Sequence, residues 1–388
     1  MAEYLAPGVY LEEIAASPQR IEGVRTGTTG MVGVTECGPD GIALITSFAE
    51  FASEFNATLP EPAAALRDKW ALDLDEGGHW WHFPLAVKGF FDNGGQRLFV
   101  KRINRDDLSA LSVDDFVAGI QTLREVDEVA LCLAPGLWST KIHDALINLC
   151  ETNRDCFAIL DAPDGLDITG VRSFRQRFNT AFAALYYPWL EVADPVTGGA
   201  VQLASSGHIA GIYARVDLER GVHKAPANET IRGITKIARD VTSVEQAVLN
   251  PEGINPLRFF PGRGNLVWGG RTLSSDSDWK YVNVRRLLIF LEDSIAKGTQ
   301  WAIFESNNER LWTNVRQTVA DFLSNLWRQG VFSGSKAEEA FFVKCDRTSM
   351  TQNDLDQGRL ICLIGVAAVK PAEFVIFRIG QWTADRKD

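Results

Sequence analysis

From about residue 30, the chain alternates short apolar runs with segments whose apolar residues recur at helical spacing. The predicted strands cover 30–35, 97–103, 129–135, 156–163 and 185–192. The predicted helices cover 46–55, 84–93, 114–124, 140–152 and 170–184. Because strands and helices alternate, the pattern predicts an α/β layered domain, with a mixed α+β character over the whole chain.

Residues at the predicted helix ends support these assignments. Ser47, followed three residues later by Glu50, forms a capping-box pattern, and Ser139 is placed to cap the helix that follows it. Pro84 stands at a helix start, and Asn93 precedes a glycine at the stop of the same helix. In "SSGH", Ser206 reads as the N-cap of a further helix.

The rest of the chain begins with an irregular stretch and then returns to predicted helices and strands. A stretch rich in Gly, Pro and Asn at 219–265 indicates the crossing from one domain to another. Further on, the pattern predicts helices at 280–297 and over about 20 residues from 308. Predicted strands follow at 301–304, 340–345, 359–369 and 372–382.

Both ends of the chain read as strands, each set off by a proline. "YLAPGVYLEEI" at 4–14 contains Pro7, and "AEFVIFRIGQW" at 372–382 follows Pro371. Two interpretations are open. The terminal strands pair with the protein's own sheet, or they leave it and add to the sheet edge of a neighbouring copy. The second arrangement is a head-to-tail contact, which builds rings or helical filaments.

Composition narrows the class of protein. The chain has 388 residues, 46% of them hydrophobic, which suggests two or three globular domains. Its net charge of −11 argues against a nucleic-acid partner. The longest apolar run, "LICLIGVAAV", has about half the ~20 residues of a membrane-spanning helix, and no signal-peptide core is present, so we expect synthesis in the cytoplasm and no direct membrane insertion. Six scattered cysteines without a CxxC motif indicate free thiols in a reducing compartment.

Four short segments contain residue types that can bind metals or nucleotides or carry out catalysis. "HWWH" at 79–82 offers two imidazoles without a third ligand, and "LDLDEGG" at 72–78 lacks the Glu that closes a calcium loop. "PGRGNLVWGG" at 261–270 has the wrong glycine spacing for a dinucleotide site and continues as strand. "SSGH" at 205–208 is not a hydrolase elbow. We therefore expect no catalytic residues, no metal and no cofactor.

Trp, Arg, Glu and Asn are concentrated in three segments of the last third, 268–272, 281–286 and 304–312. Aromatic and Arg residues are favoured anchors of buried interfaces. Arg285 and Arg286 lie early in a helix, where a cation gains nothing from the helix dipole. We expect them to meet a carboxylate, either Glu305, Glu309 or one on a neighbour; an internal salt-bridge network is the equal alternative.

Many segments together resemble the contractile tail sheath family, the sheath protomers of myophage tails, R-type tailocins and phage-tail-like contractile injection systems. The likeness runs from "APGVYLEEI" through "VGVTECGPDG", "FFDNGGQRLFVKRI" and "LNPEGINPLRFFPGRGNLVWGGRTL" to "WKYVNVRRLLIFLEDSI", "FESNNERLW" and "VAAVKPAEFVIFRIGQ". The residues in the inner-domain family motif are Trp268, Arg271, Thr272, Tyr281, Arg285, Arg286, Glu305, Asn307, Asn308 and Trp312. Residues 56–82 have no counterpart in this likeness and read as a surface insertion.

The resemblance implies a two-domain protomer with strand arms that are donated to neighbouring subunits. The implied divisions are an N-terminal arm at 1–24, an outer α/β domain at 25–225, an inner tube-facing domain at 226–370 and a C-terminal arm at 371–388. The implied arm strands comprise Val9, Tyr10, Leu11, Glu12, Glu13 and Ile14 at one end and Phe374, Val375, Ile376, Phe377, Arg378 and Ile379 at the other.

The resemblance also implies a mechanical function. Copies of the chain would form sixfold rings stacked helically around an inner tube protein, with baseplate and tail-terminator proteins at the ends, and would contract to drive the tube through a target envelope. Assembly would occur in the bacterial cytoplasm, as part of a phage tail or a phage-tail-like particle that is released or membrane-anchored. The alternatives are an α/β enzyme with an unrecognised active site, or another tail component such as a sheath cap.

Overall fold

A computed structural model describes residues 20–35, 37–55, 83–103, 111–194 and 197–376 of the chain. These residues form a mixed α/β fold, as the pattern predicts. The strands are β1 Thr29–Val34, β2 Ile42–Ile45, β3 Leu98–Ile103, β4 Leu131–Leu133, β5 Phe157–Asp161, β6 Ala183–Tyr187, β7 Leu190–Ala193, β8 Ala200–Leu203, β9 Glu229–Thr230, β10 Lys236–Ile237, β11 Ile254–Phe260, β12 Gly264–Val267, β13 Phe341–Lys344 and β14 Leu363–Val366. The helices are α1 Phe48–Glu54, α2 Phe83–Asp92, α3 Val113–Thr122, α4 Thr140–Asn153, α5 Ile168–Arg175, α6 Ser206–Arg220, α7 Ser243–Leu249, α8 Val282–Gly298, α9 Glu309–Arg328, α10 Ala337–Ala340 and α11 Gln352–Asp356.

Nine strands form one central sheet in the order β2-β3-β1-β4-β5-β6-β11-β12-β9. Its middle is parallel, whereas β2, β12 and β9 pair antiparallel at the two sides. Every residue of β1, β5 and β6 is buried, because helices cover both faces of the sheet. This explains why these strands read as continuous apolar runs and not as alternating ones.

The predicted helix caps are mostly confirmed. The Ser47 side chain accepts a hydrogen bond from the Glu50 amide, and the Glu50 carboxylate accepts from Thr46. Ser139 occupies the N-cap position of α4, but its side chain makes no capping hydrogen bond. At α6, Ser205 is the N-cap and Ser206 is the first helical residue, so that prediction was one position off.

Two glycines allow helices α2 and α6 to approach closely. A Cβ at Gly211 would lie 2.3 Å from the carbonyl oxygen of Phe90, and one at Gly207 would lie 2.5 Å from that of Ala86. Only a residue without a side chain fits where one backbone meets another at these distances.

Two predicted elements are wrong. The helix predicted at 170–184 ends at Arg175, whose guanidinium donates to the carbonyls of Phe178 and Leu273; the chain turns there and 183–187 becomes a central strand. The strand predicted at 301–304 is a 3₁₀ turn at Gln300–Ala302, followed by the exposed side chains of Ile303 and Phe304. Short apolar runs fit either type of structure. At Arg175 a long-range contact sets the end of the helix, whereas the turn at 300–302 is closed by local hydrogen bonds.

Three further strand predictions differ in extent. The strand predicted at 185–192 is divided into β6 and β7 on either side of Pro188, which has no amide hydrogen to donate to a sheet. The strand predicted at 359–369 is confined to 363–366. No strand is formed over 371–376, and the rest of that predicted strand lies outside the described residues.

The chain divides into two compact units. In the described residues, the large unit comprises 24–293 and 368–376 and contains the nine-stranded sheet; the small unit comprises 20–23 and 294–367 and contains α9 and the β13–β14 pair. The domain boundary predicted at 225/226 stays a prediction; strands from both sides of it, β6 and β11, pair in the central sheet.

The small unit is organised by α9, an amphipathic helix that packs against β13. Its buried face consists of Leu311, Trp312, Val315, Val319, Phe322, Leu323 and Leu326. The spacing of these residues is helical, as the sequence predicts for the 20 residues that follow 308. In the described part of the chain, no helix has the length and apolar character needed to cross a membrane.

Candidate subunit-assembly site

The beginning of the C-terminal arm is fixed to the large unit by an ion pair. Arg271 lies just after β12 and forms an antiparallel bridge with Tyr281. Its Nε and Nη2 atoms donate to the two carboxylate oxygens of Glu373 at 2.8 and 2.5 Å, and the Tyr281 hydroxyl donates to the same carboxylate at 3.3 Å. The Arg271 side chain is 6% exposed and that of Glu373 is 16% exposed. A two-point pair of this kind fixes the direction of residue 373 as well as its position.

Beyond this anchor the arm is apolar and exposed. Phe374, Val375 and Ile376 are 73%, 70% and 78% exposed. Among the described residues, 371–376 make no backbone-to-backbone hydrogen bond. Three consecutive exposed apolar residues are unusual on a free surface. Phe377, Arg378 and Ile379, and the predicted N-terminal arm strand Val9–Ile14, lie outside the described residues.

The small unit carries the second half of the candidate site, the β13–β14 pair. Phe341 pairs with Val366 and Lys344 with Leu363 in an antiparallel ladder. In the part of the chain that the structure describes, this sheet has two strands, so the outer edges of β13 and β14 are not paired with a further strand. Two strands alone are marginally stable, and open edges carry unpaired amide and carbonyl groups.

A groove of about 560 Å³ runs beside this pair. Most of its lining is apolar, and includes Ile295, Ile303, Leu311, Val315, Cys362 and Ile364. Phe342 and Leu363 are also exposed, by 58% and 47%. The small unit therefore combines open strand edges with uncovered apolar side chains.

Arg285 and Arg286 pair with carboxylates inside the large unit. Of the two equal alternatives, the internal salt-bridge network is confirmed, and the pairing with Glu305 or Glu309 is wrong. Arg286 donates to both oxygens of Asp217, at 3.0 and 2.6 Å, and this pair is almost completely buried. The Arg285 guanidinium lies against aromatic rings, 4.4 Å from the Phe182 centroid and 4.7 Å from that of Trp279. Its ion partner is Glu292, at 3.2 Å.

Trp268 and Thr272 also serve packing within the large unit. The Trp268 ring lies 4.4 Å from that of Phe260, with the Arg263 guanidinium 5.6 Å away. The Thr272 hydroxyl donates to the Trp279 carbonyl at 2.7 Å.

The other motif residues lie in the small unit, at the start of α9. Asn308 is the N-cap and accepts from the amides of Arg310 and Leu311. The Trp312 indole donates to the Asn307 side chain at 2.7 Å, and Asn307 donates to the Arg359 carbonyl. Glu305 is exposed. The ten motif residues thus form two clusters, one in each unit, and their role in assembly stays a prediction.

Buried polar groups near "SSGH" form a structural contact. Ser206 donates its amide and hydroxyl to Asp161, at 3.0 and 2.5 Å, instead of approaching His208. Burial raises the pKa of Asp161 to about 6 and lowers the pKa of His208 to about 4. Gly262 lies in the turn between β11 and β12, and Gly264 is the first residue of β12. "LDLDEGG" and "HWWH" lie outside the described residues.

Sequence reasoning missed Glu373 and Asp217 as the ion partners of Arg271 and Arg286. The two pairs are separated by 102 and 69 positions along the chain. An acidic residue within the predicted arm, "PAEFVIF", is the one signal that could have directed attention to Glu373.

Known protein families match most of the chain. The phage tail sheath protein central domain matches residues 109–273, and the phage tail sheath C-terminal domain matches 274–381. The putative prophage major tail sheath protein of Pseudomonas aeruginosa is 29% identical over 66% of this chain and 67% of its own length. The tail sheath protein of Escherichia phage P2 is 27% identical over 44% of this chain and 43% of its own. The chain therefore spans about two thirds of the first of these relatives and less than half of the second.

Solved structures match over nearly the whole chain. The sheath of PVC, an extracellular contractile injection system, in its contracted state is 31% identical, with a TM-score of 0.80 and 100% of both chains covered. The contracted helical sheath of the anti-feeding prophage is 32% identical, with a TM-score of 0.77, 97% of this chain covered and 99% of that one. The chain therefore belongs to the phage tail sheath protein family and is a structural sheath protein.

Proposed function

We propose that this protein polymerises with copies of itself, as sixfold rings stacked helically around an inner tube, and that the polymer contracts to drive the tube through a target envelope. The observation that carries the proposal is that one chain has two features suited to contact with another copy. These are the two-stranded β13–β14 sheet with its open edges and the exposed apolar arm that begins at Phe374.

Strand donation satisfies both features at once. An arm strand from a second copy, added to an edge of β13 or β14, pairs edge amides and carbonyls and covers apolar side chains. The proposed arm strands are Val9–Ile14 and Phe374–Ile379. Because the arm and the sheet edge are different surfaces of the same chain, the contact is head-to-tail and repeats along a polymer.

The partners beyond the chain itself follow from the related assemblies. Solved structures similar to this chain include the sixfold-symmetrised baseplate of the anti-feeding prophage, with a TM-score of 0.75. We infer that baseplate proteins contact the sheath at one end, that a tail-terminator protein contacts it at the other, and that an inner tube protein lies within it. Assembly takes place in the bacterial cytoplasm, before the particle is released or anchored.

The free energy that drives contraction is stored in the packing between copies. Two arrangements of the same rigid units, with different areas buried between copies, are enough to release free energy when a signal permits the change. The proposal requires no nucleotide, metal or catalytic residue during the stroke. The donated strands keep neighbouring copies joined while the units move.

Electron microscopy of the purified full-length chain tests the proposal, with tubes or rings as the expected result. Deleting residues 1–14, or replacing Val9 and Leu11 by proline, removes ladder donors and should leave a folded protomer that forms no extended sheath. Val9→Ala and Leu11→Ala are the matched controls, because they keep the amides and should still assemble.

Two outcomes would contradict parts of this proposal. Proline variants that still build contractile sheaths, or that fail to fold while the alanine variants fold, would exclude strand donation. A monomer that turns over a substrate and never assembles would exclude the sheath function itself.

A further inference from the structure

Cys345 and Cys362 lie opposite each other where the β13–β14 ladder ends. We propose that they are a modification site, at which a low-molecular-weight disulfide oxidises the two thiols to an intramolecular disulfide bond. Both are free thiols in the structure. This inference does not depend on the proposed function, because it concerns the chemistry of the small unit alone.

The register of the two strands gives the geometry. The last pair of the ladder joins Lys344 to Leu363, so the next antiparallel position joins Cys345 to Cys362. Residues opposite each other in an antiparallel pair have Cα atoms about 4.5–5.5 Å apart. Disulfides need Cα atoms about 4.4–6.8 Å apart, so the backbone does not have to move for this bond to form. Each thiol also influences the pKa of the other.

The two thiols differ in access. Cys345 is buried, whereas Cys362 is half-buried and lines the apolar groove beside β14. A small disulfide reagent therefore meets Cys362 first. Cys150 and Cys156 provide an internal comparison, because their sulfur atoms are 3.3 Å apart but both residues are buried in the core of the large unit.

The reaction is a double thiol–disulfide exchange. The Cys362 thiolate attacks one sulfur of the reagent and releases one thiolate, which takes up the proton lost by Cys362. The Cys345 thiolate then attacks the Cys362 sulfur of the mixed disulfide and releases the second thiolate, which takes up the proton lost by Cys345. The protein loses two electrons and two protons, and one reagent disulfide becomes two thiols.

The environment makes this exchange slow at neutral pH. Burial, reinforced by the neighbouring thiol, raises the pKa of Cys362 to about 12, and burial also raises that of Cys345. Since the thiolate is the attacking form, the rate should rise with pH. Once formed, the bond closes the segment 346–361 into a covalent loop and ties β13 to β14.

The test treats the full-length chain, carrying Cys37→Ser to remove the exposed thiol, with oxidised glutathione at pH 8.5. Thiol titration in denaturant should fall from five to three per chain, since five of the six cysteines remain in this background. Peptide mapping without reductant should give one cross-link, between the peptides that contain Cys345 and Cys362. Reductant should reverse both results.

Single variants separate the two thiols. With Cys345→Ala, the first exchange still occurs and Cys362 should keep a glutathione adduct; with Cys362→Ala, Cys345 should remain unmodified. The proposal is overturned if the parent retains all five thiols, if Cys362 holds a stable glutathione adduct although Cys345 is present, or if the cross-link joins Cys150 to Cys156. These readouts in the parent protein hold whether or not a variant folds.

Discussion

The Arg271 guanidinium holds the Glu373 carboxylate at two points in a mostly buried ion pair, although the residues are 102 positions apart in the chain. This contact joins the end of the central-sheet region to the residue that immediately precedes the exposed apolar arm. Arg271 also donates to the Asn250 carbonyl at 2.7 Å, so its own position is fixed from a second side. The arm therefore leaves the large unit from a rigid point.

Breaking this pair should destabilise the protein. Glu373→Ala leaves a buried guanidinium without its counter-ion, and we expect the free energy of unfolding to fall by about 3 kcal/mol. Arg271→Ala should cost a similar amount, and the double variant should cost clearly less than the sum of the two. A urea-unfolding double-mutant cycle measures this coupling. The more exposed Lys88–Asp92 pair, with side chains 44% and 34% exposed, is the control, with an expected coupling below about 1 kcal/mol. Additive effects at Arg271 and Glu373 would contradict the account.

Charges on the arm should abolish assembly without affecting the protomer. Phe374→Asp and Ile376→Asp alter side chains that are 73% and 78% exposed, so the free energy of unfolding should change by no more than about 0.5 kcal/mol. Microscopy should show no extended sheath, because a donated strand would have to bury the new charge. Leu218→Asp changes an exposed apolar residue outside the arm and should assemble normally. Normal sheaths from the arm variants would show that this surface is not an interface.

The buried imidazole of His208 should make stability fall in acid. Burial lowers its pKa to about 4 in the folded chain, against about 6.5 in the unfolded chain. Between these values the unfolded chain binds the extra proton, so the free energy of unfolding decreases as the pH falls from about 6.5 to about 4. From pH 7.5 to 4.5 the loss due to His208 should be about 2.5 kcal/mol.

The comparison of wild type with His208→Gln isolates this effect. The buried Asp161, whose pKa is raised, titrates with the opposite sign in both proteins and cancels in the difference. Urea unfolding at each pH should show the two stabilities converging by about 2.5 kcal/mol towards pH 4.5. Parallel pH profiles would contradict a neutral, buried His208.

The close approach of α2 and α6 should make Gly211 intolerant of a side chain. In Gly211→Ala the new Cβ lies 2.3 Å from the Phe90 carbonyl oxygen, so the helices must separate, and we expect a loss of about 2 kcal/mol. Gly41→Ala is the control, because no heavy atom lies within 4 Å of its Cβ position. Thermal or urea unfolding of both variants gives the comparison, and equal stabilities would argue against the contact.

Sequence patterns predicted the elements whose signal is local. The capping residues Ser47 and Glu50 start α1 as expected, and the apolar runs of β1 and β5 are buried strands. The family can be recognised from many short sequence segments in a fixed order, and this recognition needs no knowledge of contacts. The strand order β2-β3-β1-β4 was beyond this reasoning, because periodicity states which residues are buried but not which strand lies next to which.

Contacts between distant residues decided where prediction failed. The basic pair Arg285 and Arg286 was correctly expected to meet carboxylates. The choice of Asp217 as the partner of Arg286 depends on how α6 and α8 lie in the fold, whereas Glu292 lies seven residues after Arg285 on α8 itself. The end of α5 is likewise set by hydrogen bonds from Arg175 to Leu273, which is 98 positions away. Spacing within a sequence window contains no information on such pairs.

The two-stranded β13–β14 sheet has a consequence for how growth stops. With strand donation as proposed, each added copy fills one set of edges and presents another, so a finite polymer has polarity. One end always exposes sheet edges without an added strand, and the other exposes arm strands without a sheet edge to pair with. The two ends therefore need terminating proteins of different kinds, one that supplies a strand and one that supplies an edge.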